Sequence, residues 1–121
     1  MGQDQFGTVD DYFRAFEFVL HEGIPDKHLD LLRAHFDAPN HTATANELAK
    51  AVGDTSYRAV NLQYGTLAGR VAERLGIIQK PNGFWFSVLA DWDEEQPAGD
   101  TRFVLRKPVI EALLRLGLVA H

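Results

Sequence analysis

The sequence predicts an α+β fold in a single domain over residues 1–121. Helices occupy the chain up to residue 75, and strands joined by a turn follow before one last helix. Three observations carry this reading. A capping box at Thr44 and Glu47 opens a short helix that Gly53 closes, and a longer helical stripe starts after Ser56. The helical period stops at Gly76, and Pro81-Asn82-Gly83 has the composition of a turn. Residues 84–92 and 101–106 are then rich in strand formers.

Taken in chain order, Thr8 and Asp11 can cap a first helix running to about His21. Its apolar residues Tyr12, Phe13, Phe16, Val19 and Leu20 keep helical spacing, Phe18 lies outside the stripe, and Gly23 ends it. Pro25 suits the first turn of a second helix, with Leu29, Leu32 and Phe36 as its stripe and Leu31 and His35 flanking. Pro39-Asn40 breaks the pattern. In the third helix Leu48, Ala51 and Val52 point inward. Ser56 or Thr55 caps the fourth. There Val60, Tyr64, Leu67, Val71 and Leu75 share the buried face, and Arg58, Leu62, Gly65, Gly69 and Glu73 share the outer one. Asn61, Gln63 and Thr66 stand at the borders.

Ile77-Ile78-Gln79 is a short strand candidate. Residues 84–92 and 101–106 pair as a hairpin whose tip, 93–100, is acidic. The aromatic cluster Phe84, Trp85, Phe86 and Trp92 offers a stacking surface for an unpaired or flipped base, and alternation sets Phe84 and Phe86 toward the core and Trp85 on the other face. Pro108 opens the last helix, with Val109, Ile110, Leu113 and Leu114 inward and Gly117 at its end. Leu118-Val119 can return as an edge strand.

A short helix, a turn, a longer helix and a hairpin make a winged helix-turn-helix. Here it carries two extra N-terminal helices, a C-terminal β-hairpin wing and a final helix. That arrangement points to double-stranded DNA. A recognition helix presents short polar and basic groups at its N-terminal end, and Ser56, Tyr57, Arg58, Asn61 and Gln63 stand there. Arg58 matches guanine, and Asn61 or Gln63 matches adenine, through two-pronged geometry. Lys50, Arg70, Arg74 and Arg102 are the candidates for phosphate contacts. Gly65 and Gly69 each weaken the long helix, which suggests the close approach of a phosphate backbone, the wing or a partner helix.

The formal charge of −5 opposes generic binding to phosphates. Its distribution is uneven. Residues 1–40 hold eight acids and three bases, 41–81 three acids and five bases, and 82–121 six acids and four bases. The helix-turn-helix is thus the one positive segment. With no cysteine, disulfides and thiolate chemistry are excluded. No apolar stretch is long enough to span a bilayer, and the start of the chain lacks the pattern of a secretory signal, so a cytoplasmic protein without a membrane is expected. His35, Asp37 and His41 lie close in sequence but lack the spacing of a metal site. The acidic stretch around Asp91 and Asp93 reads as solvated, and no catalytic constellation or phosphate loop is visible. No enzyme, metal or cofactor is expected.

The stretches 42–49 and 57–68, with the ending 104–113 and Leu116-Gly117-Leu118-Val119, resemble a family of small bacterial domains found alone or ahead of HNH-type nuclease domains of the restriction class. Asn61-Leu62-Gln63-Tyr64-Gly65 is the most specific element of a likeness covering about residues 10–120. The resemblance implies a DNA-reading module that senses a modified base. The chain holds no His-Asn-His constellation with a zinc cradle, so cleavage is not implied. The alternative is a protein-interaction module that docks a separate nuclease, or a second copy of itself, through the Gly65/Gly69 surface.

Overall fold

A computed structural model of the chain describes residues 5–92 and 99–120. It is α+β, with five helices and one small antiparallel sheet among those residues. The first helix, α1 (Val9–Glu22), opens on a reciprocal cap. The Thr8 hydroxyl accepts the Asp11 N–H at 3.2 Å, and the Asp11 carboxylate accepts the Thr8 N–H at 2.9 Å. These bonds to Thr8 hold the Asp11 carboxyl below its ordinary pKa. The second helix, α2 (Asp26–Asp37), has Pro25 at its cap position rather than in its first turn. A three-residue strand, β1 (Thr42–Thr44), leads into α3 (Ala45–Val52), α4 (Tyr57–Arg74), β2 (Ala90–Trp92), β3 (Arg102–Leu105) and α5 (Lys107–Arg115).

The Thr44–Glu47 capping box forms, and Gly53 closes α3 at φ 75°, a left-handed conformation that suits glycine. The sheet order is β1-β3-β2, with Ala43 and Trp92 both opposite Phe103. Strand β1 is too short to show a period, and its partner lies far along the chain, so the sequence did not reveal it. Ile77-Ile78-Gln79 forms no strand, and Ile78 is 91% exposed. The expected long strand over 84–92 shrinks to β2, because Trp85–Val88 coil into a tight turn. Ser87, Val88, Leu89 and Ala90 are all buried, so no alternation exists there to hold a half-buried strand. Leu118 and Val119 do not return as a strand. The tip at 93–98 lies outside the described residues.

Packing explains one shift of face. The buried positions of α2 are His28, Leu31, Leu32, His35 and Phe36, while Leu29 is only half-buried. Helix α2 lies against α3, α4 and β1, and its two histidines make bonds to α4 on that side. On the opposite side α1 packs on α4 and α5, and the buried Tyr12 hydroxyl donates to the Val88 carbonyl. One core joins these elements, centred on Phe16, Leu31, Tyr64, Leu67, Val71, Leu89 and Leu113.

Two contacts fix the sheet to the helices. His35 is fully buried; its Nε2 lies 2.9 Å from the Phe103 carbonyl and its Nδ1 lies 2.8 Å from the Tyr64 hydroxyl. A carbonyl only accepts, so Nε2 carries the proton and donates to Phe103, and Tyr64 donates to Nδ1. The return of the hairpin is tied to the start of α3. The Asn46 N–H donates to the Gly99 carbonyl at 3.0 Å, and the Asn46 amide donates to Asp100 at 2.9 Å. Gly99 has φ 86°, and a Cβ there would lie 2.6 Å from the Asn46 side chain, so both backbone and space require glycine.

Burial pushes the His35 pKa down to about 4, below the ordinary value of 6.5, and burial pushes His28 down as well. The folded state therefore resists protonation that the unfolded chain accepts. The resulting stability is complete above pH 6.5 and is lost as pH falls toward 4, by about 3 kcal/mol from His35. Urea unfolding at a series of pH values checks this, and a flat profile from pH 7 to 5 would contradict it. Tyr64→Phe leaves Nδ1 without its donor and is expected to cost about 1–3 kcal/mol in the same assay.

Candidate functional site

Helix α4 begins after Ser56, which occupies the cap position but makes no side-chain bond to the helix. Its buried stripe is Val60, Tyr64, Leu67, Ala68, Val71 and Ala72, as the period requires. The opposite face is thereby left to Arg58, Asn61, Leu62 and Thr66, all exposed. The Arg58 guanidinium lies 5.4 Å from the centre of the Tyr57 ring. Neither the Arg58 nor the Asn61 side chain has a hydrogen bond or ion pair to another described residue.

The other candidate residues separate from this face. Gln63 turns to the far side, where its amide oxygen accepts from His28 Nε2 at 3.0 Å. The acceptor of Gln63 is thus engaged by α2 rather than presented with Arg58 and Asn61. Arg70 donates to the Gly23 carbonyl at 2.9 Å and pairs with Glu22 at 3.3 Å, which caps the end of α1. Arg74 lies over the Phe18 ring, 3.6 Å from its centre. Two of the three arginines expected to hold phosphates, Arg70 and Arg74, thus lie against α1. Lys50 is exposed on the last turn of α3. Arg102 is exposed on β3, and strand alternation sends it to the sheet face opposite Phe103.

Beside Arg58 and Asn61 the surface opens into a cavity of about 510 Å³. One wall is α4, through Tyr57, Asn61 and Gly65. The facing wall is the 80–86 segment, through Lys80, Gly83, Phe84, Trp85 and Phe86. Trp92, Phe103, Thr101 and Gly99 from the hairpin, with Ala45 of α3, complete it. The aromatic rings form a chain: Tyr64 to Phe86 at 4.5 Å between centres, Phe86 to Phe103 at 4.4 Å, Phe103 to Trp92 at 5.9 Å, and Trp92 to Phe84 at 5.8 Å. Behind this chain of rings His35 bonds both the Tyr64 hydroxyl and the Phe103 carbonyl.

Phe84 departs from its expected place in the core and is 54% exposed at the rim, because the tight turn at Trp85–Val88 removes the alternation that would bury it. Trp85 is half-buried, with its indole over Gly69 at 3.5 Å from where a Cβ would stand. Gly69 thus receives the 80–86 segment. Gly65 receives nothing: no atom lies within 4 Å of a Cβ built there. Lys80, Phe103 and Thr101 were not legible as site residues. For Phe103 the alternation with exposed Arg102 and Val104 was a usable signal, but Lys80 precedes a turn and carries no pattern.

The lining is mainly apolar, with Asn61, Lys80 and Thr101 as its polar side chains and no carboxylate among the described lining residues. Such a surface suits a planar or apolar group that is neutral or anionic. His35 has both ring nitrogens engaged and cannot join His41 on a metal. No group of three metal-ligating side chains occurs among the described residues. Comparison with family models, with curated proteins and with solved structures gives no match.

Because space is open at Gly65, Gly65→Ala is expected to stabilise the fold by up to about 1 kcal/mol through helix propensity alone. Thermal or urea unfolding measures this, and a loss of stability would show that the glycine is required by packing.

Proposed function

We propose that the chain is a DNA-binding module that sets the exposed face of α4 against duplex DNA, senses a modified base, and acts by binding rather than by chemistry. The order α2-β1-α3-α4-β2-β3 with sheet order β1-β3-β2 supports a winged helix-turn-helix reading, in which α3 and α4 are the helix pair and the β2–β3 hairpin is the wing. One observation carries the proposal: Arg58 and Asn61, in the first turns of α4, are exposed beside an aromatic pocket, and their side chains make no hydrogen bond or ion pair to another described residue. Their side chains have the two-pronged geometry that base edges require. The modified-base and restriction context rests on the resemblance of residues 57–68 to domains that precede HNH nucleases.

Few bases serve this face. Arg70 and Arg74 are spent on α1, which leaves Arg58, Lys80 and Lys50 on or near it. With Arg58 reading a base, Lys80 and Lys50 neutralise about two phosphates, and the logarithm of affinity is expected to fall with the logarithm of salt at a slope near −2. A second reading, a protein-docking module, is favoured by Leu62 at 68% exposure and by exposed Ile78 on the flank of the same helix.

In a titration of duplexes carrying unmodified, methylated and hydroxymethylated bases, Arg58→Ala with Asn61→Ala is expected to weaken binding by at least about tenfold, with the far-UV spectrum unchanged. Equal affinity of variant and parent at low salt contradicts the placement. A stable dimer by light scattering that ignores DNA supports the docking reading instead.

A further inference from the structure

We propose that the aromatic pocket receives one nucleobase turned out of a DNA strand held against α4; the inference rests on the DNA-binding reading and supplies its sensing step. Four features point to a nucleobase. Tyr57, Phe84, Trp92 and Phe103 provide ring faces and edges around a cavity of about 510 Å³, within the ~300–1,000 Å³ of small-ligand sites. Asn61 offers a donor and an acceptor side by side, the pattern of a base edge. Lys80 on the lining disfavours an ammonium ligand, which aromatic cages otherwise take, and favours a base with its phosphate. Gly65 leaves the α4 wall open with no packing reason, at a cost in helix propensity.

The geometry links reading and sensing. Arg58 lies over the Tyr57 ring, and Tyr57 is itself part of the pocket wall, so a basic group stands at the entrance. A strand whose base edge meets Arg58 brings a neighbouring base to the cavity. Stacking on the aromatic rings then offsets the loss of stacking in the duplex, which is smallest for a mismatched or modified pair. The bonds of His35 to Tyr64 and Phe103 position the rings behind the cavity, and positioned rings can discriminate substituents on the base.

The test uses the chain's own reporters. It contains two tryptophans, Trp85 and Trp92, and both line the pocket, so intrinsic fluorescence reads occupancy directly. The full chain is titrated with a duplex holding one mismatch, with the matched duplex, with deoxynucleoside monophosphates and with choline, while anisotropy of labelled DNA reports duplex binding separately. The expected result is saturable quenching by the mismatched duplex, at least about fivefold tighter than the matched one, and weak quenching by monophosphates. Gly65→Leu, which adds bulk to the α4 wall of the cavity where no atom lies within 4 Å of a Cβ, is expected to abolish quenching by monophosphates with its far-UV spectrum intact. Duplex binding by anisotropy without quenching overturns the pocket assignment and leaves the DNA-binding reading standing. Quenching by monophosphates with no duplex bound assigns the site to a free nucleotide and overturns the everted-base form. Quenching by choline alone overturns the nucleobase class.

Discussion

The buried His35 bridge is the contact on which the rest of the architecture depends. It joins α2, which carries the imidazole, to α4 through Tyr64 and to the sheet through the Phe103 carbonyl. A three-stranded sheet of such short strands has little stability of its own. It is held by this bond, by Asn46 on Gly99 and by the Arg106 Nε–H that donates to the Ser87 carbonyl at 2.7 Å. Each of these ties the hairpin to something rigid. The aromatic chain from Tyr64 to Phe84 inherits its positions from them, and so does the cavity.

The exposed side of α4 is a consequence of the buried one. Tyr64 and Leu67 must face the core, so Arg58 and Asn61 face water, and the turn at Trp85–Val88 places Phe84 next to them. Few of the chain's bases are left on this face. Arg70 and Arg74 are not free cations but parts of the α1–α4 junction, so the positive charge read from residues 41–81 overstates what the surface offers. A weak electrostatic grip places more of the proposed recognition on shape and stacking, which the cavity can provide.

Much of the fold was legible in the residues. Reciprocal caps at Thr8/Asp11 and Thr44/Glu47, the stop at Gly53 and the stripe of α4 are local chemistry, and each is written within a few positions. What escaped was non-local. Strand β1 exists only because β3 pairs with it, and His35 faces inward only because Tyr64 and Phe103 wait there. The rich run of strand formers at 84–92 misled, because tertiary burial of Ser87 to Ala90 overrides propensity. For the site, Arg58 and Asn61 were legible as the exposed start of a helix, and the aromatic residues as a cluster. The pocket itself was not, since Lys80, Phe103 and Gly99 meet only after the chain has folded. Gln63, Arg70 and Arg74 looked available because their partners, His28, Glu22 and Phe18, lie far away in sequence.

The central claim is that one continuous surface, the start of α4 with the adjoining aromatic cavity, meets the nucleic acid. A map of backbone amide chemical shifts during titration with duplex DNA tests it most directly. The account expects the largest changes at Arg58, Asn61, Gly65, Lys80, Phe84 and Trp92, with α1 and α5 silent. Changes concentrated on α1 and α5, or none at low salt, would contradict it.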